Sequence, residues 1–234
     1  MNSVWQEPCI FSPSLICFDL CNLEEQVHTL ERLGVKVLHV DILDGHFSPS
    51  MPLGLDTVRQ LRAKTDMEFD CHVMTTRNEF FVDELLDIGV QQIVFHVETE
   101  PHADGLLNKI RARGVRAGVA LKPATPLDSL DFIIEKCDTV LLMLINPGYA
   151  SSSSEKQAVY AERKIKQLSD IISGRELGTK IEIDGRVSEE NIKKYGGSEV
   201  GIFVTGSTCI KKSDIEGSVE NLNNIRRSIV GGEL

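Results

Sequence analysis

Thr139-Val-Leu-Leu-Met-Leu-Ile145 is apolar without a break after its first residue. A strand reads this way when helices cover one face and the other packs inward, as in a parallel sheet; a half-solvated antiparallel strand would alternate polar and apolar positions. Seven further short runs stand around it, at residues 10–16, 35–43, 68–74, 92–97, 116–121, 180–184 and 202–205, each with the β-branched or aromatic content of a strand. Between them apolar residues recur at helical spacing, as in Leu23, Val27, Leu30 and Leu33, then Leu106 and Ile110, then Ile165, Leu168, Ile171 and Ile172. Eight β-then-α units with no break in composition predict a single (β/α)8 barrel over residues 1–234. A doubly wound open sheet is the weaker alternative, because no Gly-x-Gly-x-x-Gly follows the first strand.

Composition narrows the function. The chain has 35 acidic residues against 25 basic ones, a formal charge of -10, which argues against a nucleic acid or an anionic membrane as partner. With 41% hydrophobic and 26% charged residues it is not a disordered chain. No apolar run approaches the roughly 18 residues of a membrane span, and residues 1–8 lack the basic-then-apolar order of a signal peptide, so a cytoplasmic location is expected. Six scattered cysteines with no Cys-x-x-Cys pair predict free thiols rather than a zinc or redox motif.

Barrel chemistry belongs at the carboxyl ends of the strands. His39-Val-Asp41 is an i, i+2 pair on strand two, and the period of two puts both side chains on one face. His72 on strand three and Asp184 on strand seven project toward the same mouth. Two imidazoles and two carboxylates suit Zn, Mn, Fe or Co better than Ca or Mg, which prefer oxygen alone; the competing reading is a hydrogen-bonded couple that fills a barrel layer. His96-Val-Glu98 repeats the spacing on strand four and is read as a structural pair. His28, His46 and His102 fall on helical or loop stretches.

The segments Ser12-Pro-Ser-Leu15, His39-Val-Asp-Ile-Leu-Asp-Gly-His46, Asp70-Cys-His-Val-Met74, Pro123-Ala-Thr-Pro126, Asn146-Pro-Gly148, Ile183-Asp-Gly185 and Gly206-Ser207 together resemble the ribulose-phosphate 3-epimerase family, in the family's order. The resemblance implies a TIM barrel of the ribulose-phosphate-binding type that inverts carbon 3 of a ketose phosphate, and a homo-oligomer. It implies His39, Asp41, His72 and Asp184 as ligands of one divalent metal, with Asp41 and Asp184 doubling as the acid/base pair. Ser14, His72, Met74 and Met143 would meet the substrate near the reacting carbons. Gly148, Tyr149, Ala150, Ser151, Gly185, Arg186, Gly206 and Ser207 would stand around its distal, phosphate-bearing end.

That distal end departs from the family. After Asn146-Pro-Gly148 the family continues with an aromatic, two glycines and a glutamine, whereas this loop reads Tyr149-Ala-Ser-Ser-Ser-Ser154. Arg186 replaces a second glycine and Lys122 an asparagine, while nearer the reacting carbons Leu43 replaces a methionine, a mild change because volume is nearly conserved. Arg186 would either fork onto a phosphate or occupy its space. The stretches Cys71-His-Val-Met74-Thr-Thr-Arg77 and His96-Val-Glu-Thr99 resemble the allulose 6-phosphate branch, so a hexulose phosphate is a candidate substrate beside ribulose 5-phosphate. Two other classes compete. A barrel decarboxylase or aldolase would need Asp-x-Lys-x-x-Asp on strand two, where this chain has Asp41-Ile-Leu43-Asp-Gly-His46, or a Schiff base on Lys122; a sugar-binding relative would have lost turnover through the serine loop and Arg186.

Overall fold

The computed structural model describes residues 3–149, 152, 154–197 and 199–231. The apolar runs form eight strands: β1 (Ile10–Pro13), β2 (Val37–Leu43), β3 (Glu68–Met74), β4 (Gln92–His96), β5 (Arg116–Leu121), β6 (Thr139–Met143), β7 (Lys180–Asp184) and β8 (Ile202–Thr205). Every pairing is parallel, in the order β1-β8-β7-β6-β5-β4-β3-β2. A parallel bridge between Ser14 and His39 joins the two ends, so the sheet is a (β/α)8 barrel.

The helices are α1 (Leu23–Arg32), α2 (Leu55–Arg62), α3 (Asn78–Ile88), α4 (Ala103–Ala112), α5 (Ala161–Gly174), α6 (Glu189–Tyr195) and α7 (Ile215–Val230). α1 shows the general device: Leu23, Val27 and Leu30 are buried along one stripe, while Glu24 and Glu25 occupy the first turn and Arg32 the last, where their charges oppose the helix dipole.

The expected eighth helix is not formed between β5 and β6. Two 3-10 turns, Leu127–Leu130 and Ile134–Lys136, take its place. Pro123 and Pro126 withhold two amide donors at the start of this segment, and Leu127, Leu130 and Ile134 still bury their side chains against the barrel. Three strands also end earlier than their apolar runs. β1 stops at Pro13 before a 3-10 turn (Leu15–Cys17), β4 stops at His96 before another (Val97–Thr99), and β6 stops at Met143. The β2 run begins two residues late, at Val37.

Outward strand residues such as Leu38, Val40, Phe69, Val73, Phe95 and Leu142 join the helices in one large core; truncating a buried phenylalanine of this kind to alanine costs about 3–5 kcal/mol. Inside the barrel the layers differ. Val4, Trp5, Ile10, Val37 and Ile202 plug the amino-terminal end, and Val94, Ala120, Leu141 and Met143 form an apolar wall nearer the mouth. Between them lies a buried polar layer. Arg116 Nε and the Thr139 hydroxyl donate to Gln92 Oε1 at 3.0 and 2.8 Å. Gln92 Nε2 donates to Asp70 Oδ1 at 2.8 Å, and the Ser12 hydroxyl donates to Asp70 Oδ2 at 3.2 Å. The layer ends on His39, directly beneath the mouth.

Candidate active site

β2 is buried along its whole length, and its alternation turns His39 and Asp41 inward. The register pairs Asp41 with His72 across β2 and β3, while β7 delivers Asp184 beside Met143. His39 Nε2 lies 3.4 Å from Asp41 Oδ1, His72 Nδ1 lies 3.6 Å from that same oxygen, and His72 Nδ1 lies 3.8 Å from Asp184 Oδ2. One ligand atom from each of the four falls within 4.8 Å of all the others. The strand-end reading therefore brings together the four side chains it singled out.

The donor set fits a divalent ion. His39 Nε2 and His72 Nδ1 are buried with no hydrogen-bond partner, a state that ordinarily costs about 1–3 kcal/mol per group. Tetrahedral bonds of about 2.0–2.2 Å place neighbouring ligand atoms about 3.3–3.6 Å apart, close to the separations found. Three of the four side chains are also held from behind. His39 Nδ1 donates to Asp70 Oδ2 at 2.8 Å, the Ser14 hydroxyl donates to Asp41 Oδ2 at 2.7 Å, and His72 Nε2 meets His96 Nε2 at 2.9 Å. Outer hydrogen bonds of this kind fix tautomer and aim in metal sites. A second grouping, His39, Asp70 and Glu182, lies beneath the first, but there the His39 Nδ1 proton is already given to Asp70.

Electrostatics separates the two carboxylates. Burial pushes Asp41 upward, yet the pull of His39 and His72 close beside it outweighs this and holds its pKa below the ordinary value. For Asp184 burial and the nearby Asp41 charge raise the pKa, against the opposing pull of His39 and His72. Burial likewise disfavours charge on His39, but Asp41 and Asp70 prevail and raise its pKa well above normal. So much negative charge around one imidazole is the environment that a cation would relieve.

Asp41 and Asp184 open onto a cavity of about 440 Å³, which is also lined by Ser14, Met74, Met143, Gly148, Gly185, Arg186, Gly206 and Ser207. His39 and His72 are fully buried behind it. Gly148 has φ +84° and its absent Cβ would stand 2.0 Å from Ser48 Oγ; Gly185 has φ +109° and Ile145 Cγ1 2.8 Å from the same imaginary atom. Only glycine fits either place. Arg186 keeps a left-handed backbone, φ 54°, which glycine would adopt freely and which costs a side-chain-bearing residue roughly 1–2 kcal/mol. Its Nη2 donates to the Ser152 carbonyl at 2.6 Å, tying strand seven to the serine loop.

Tyr149 corrects the expectation. It lines a neighbouring hollow with Phe47, Lys122, Asn146, Pro147 and Glu155, because its backbone is turned back by a bond to Asn146 O. Ala150 and Ser151 lie outside the described residues. Lys122 does not enter the main cavity; its ammonium stands 4.1 Å over the Phe47 ring. Cys17, Ser50, Thr208 and Lys212 line the cavity and were missed, since they come from loops with no strand-end signal. Volume alone would mislead: open grooves of about 640 and 800 Å³ lie elsewhere, one of them where the eighth helix is missing, without this convergence of carboxylates and imidazoles. All six cysteines are free, and among the described residues no helix is long and apolar enough to cross a membrane.

A sequence profile described as the Ribulose-phosphate 3 epimerase family matches residues 10–210. The ribulose-phosphate 3-epimerase of Treponema pallidum (strain Nichols) is 32% identical over 196 residues, 84% of this chain and 88% of that protein. That of Mycobacterium bovis is 30% identical over 213 residues, 91% of each. Among solved structures the fold is similar to 3-keto-L-gulonate-6-phosphate decarboxylase from Vibrio cholerae O1 biovar El Tor, with a TM-score of 0.73 at 13% identity over 96% of this chain and 99% of that one. At that identity the likeness is one of fold.

Proposed function

The chain belongs to the ribulose-phosphate 3-epimerase family, and from that premise we propose that it inverts C3 of a ketose phosphate by proton transfer between two carboxylates. The observation that supports this most is the pair Asp41 and Asp184, which face one cavity and have their proton affinities driven in opposite directions. Environments that separate two titratable groups in this way assign a base and an acid.

His39, Asp41, His72 and Asp184 would hold one divalent cation, of Zn, Mn, Fe or Co type. When bound, it supplies Lewis acidity to the sugar oxygens beside the reacting carbon, whose C–H is otherwise very weakly acidic. Asp41 accepts the C3 proton on one face, leaving a planar enediolate, and Asp184 returns a proton to the opposite face; the reverse reaction exchanges their roles. Ser14 keeps the second Asp41 oxygen aimed, and Met74 and Met143 give an apolar floor that keeps water from the flat intermediate. At the distal end Arg186 and Ser207, with the close backbones of Gly148 and Gly185, take the phosphate. A decarboxylase would need a lysine where buried Leu43 lines the cavity. The altered distal end supports allulose 6-phosphate as a second substrate beside ribulose 5-phosphate.

The test is solvent exchange. Metal-loaded protein in deuterated water is expected to incorporate deuterium at C3 of at least one member of a panel of pentulose and hexulose phosphates, followed by NMR, and to stop after chelation. Loaded protein that exchanges none of them ends the proposal.

A further inference from the structure

The pair His96 and Glu98 takes no part in the proton transfer above, yet it touches one of the four metal-facing side chains. His96 sits buried at the end of β4, with Nε2 2.9 Å from His72 Nε2 and Nδ1 2.9 Å from Glu98 Oε2. The other Glu98 oxygen accepts the Lys122 amide at 2.7 Å and the Thr125 hydroxyl. Phe47 packs on the His96 ring, with centroids 4.7 Å apart. His96 is thus held on three sides.

We infer that Glu98 and His96 form a relay that sets the tautomer of His72 and so presents its Nδ1 as a lone pair to the metal position; this rests on the metal reading proposed above. Glu98 spends both oxygens as acceptors, so His96 Nδ1 carries the proton in their bond. A neutral His96 then has a lone pair on Nε2. Two imidazole nitrogens 2.9 Å apart share one proton, which must come from His72 Nε2. His72 Nδ1, the atom without a hydrogen-bond partner, is left as a lone pair facing Asp41 and Asp184. The opposite assignment would set a His96 lone pair against the Glu98 carboxylate, which is repulsive. His96 and Glu98 are positioning residues here, because neither lines the substrate cavity.

Glu98→Gln tests this. An amide facing both His96 Nδ1–H and the Lys122 N–H has only one oxygen, so it loses one bond or reverses the relay. Co(II) affinity, measured by competition with a chromophoric chelator, is expected to fall about 10–100-fold, and long-range 15N–1H correlation on metal-free protein should move His72 away from the Nε2–H form. Thr125→Val is the control: it removes a Glu98 hydrogen bond without touching His96, and should leave Co(II) affinity unchanged even where thermal stability drops equally. Unchanged affinity in Glu98→Gln, or an equal loss in Thr125→Val, overturns the relay while the metal reading stands. Wild-type protein that takes up no divalent ion overturns both.

Discussion

The two ends of the cavity are built by opposite means. At the reacting end the functional groups project from paired strands, and three of the four have a second partner behind them: Asp70 for His39, Ser14 for Asp41, His96 for His72. At the distal end they come from loops: Arg186 on a left-handed turn and tied to Ser152, Lys212 with its ammonium on the Phe18 carbonyl at 3.1 Å, and Gly148 pressed on Ser48. Strand positions are fixed by the ladder and tolerate little change, whereas loops accept substitution without disturbing the barrel. In the proposed function, proton transfer therefore rests on the first end and substrate choice on the second.

The largest effect should come from breaking the strand-built end. Asp184→Asn keeps the shape but removes the proton carrier of one face, and should lower inversion at C3 by about 10²–10⁴-fold with an unchanged far-UV circular dichroism spectrum, while Asp41 still exchanges the C3 proton of the epimer it faces. Persistent epimerisation would mean that this end is not where chemistry occurs. Ser14→Ala is next. Loss of a hydrogen bond to a charged acceptor is worth about 1.5–3 kcal/mol, so kcat should fall about tenfold or more. Without that donor the Asp41 carboxylate is less stabilised, its pKa rises, and the acid limb of the pH–rate profile moves to higher pH.

Arg186→Gly probes the loop-built end. Glycine adopts the same left-handed turn, so the variant isolates the guanidinium. KM for the phosphorylated substrate should rise about tenfold, the worth of one charge-assisted contact, with kcat little changed. A falling KM would show instead that the arginine fills space meant for substrate.

The smallest effect concerns the loop that follows β2. Asp44, just past β2, accepts the amides of His46, Phe47 and Thr76 and the Thr76 hydroxyl. These bonds outweigh the upward push of burial and bring its pKa down to about 2. A carboxyl whose pKa is depressed on folding contributes stability above its unfolded value, near about 4, and loses it as pH falls through the folded one. Asp44→Ala should therefore lower Tm by about 2–4 °C at neutral pH. The gap from wild type should close as pH approaches about 2.

Much of this arrangement was legible in the chain. The runs at 68–74, 116–121, 180–184 and 202–205 match their strands at both ends, because strands buried on both faces are continuous apolar or alternating runs with sharp boundaries. His39 and Asp41 share a face by periodicity alone. Less legible was the segment between β5 and β6, where two prolines and short apolar spacing form 3-10 turns and local propensity overrode the repeating β-then-α pattern. His96 and Glu98 were rightly read as a bonded pair, but their hold on His72 was invisible. The ladder pairs His72 with Val94, and only the geometry across two tilted strands brings the His96 ring to it.

Side-chain chemistry and its strand positions follow from the order of residues, since alternation is a local property of the backbone: the barrel, the His-x-Asp pair and the carboxylate on strand seven are all written there. Which atoms are left without partners, which carboxylate is pushed up and which down, and which loop residues meet at the distal end depend on distances between segments far apart in the chain. Those distances exist only once the barrel has closed, because burial and Coulomb forces act through space and not along the sequence.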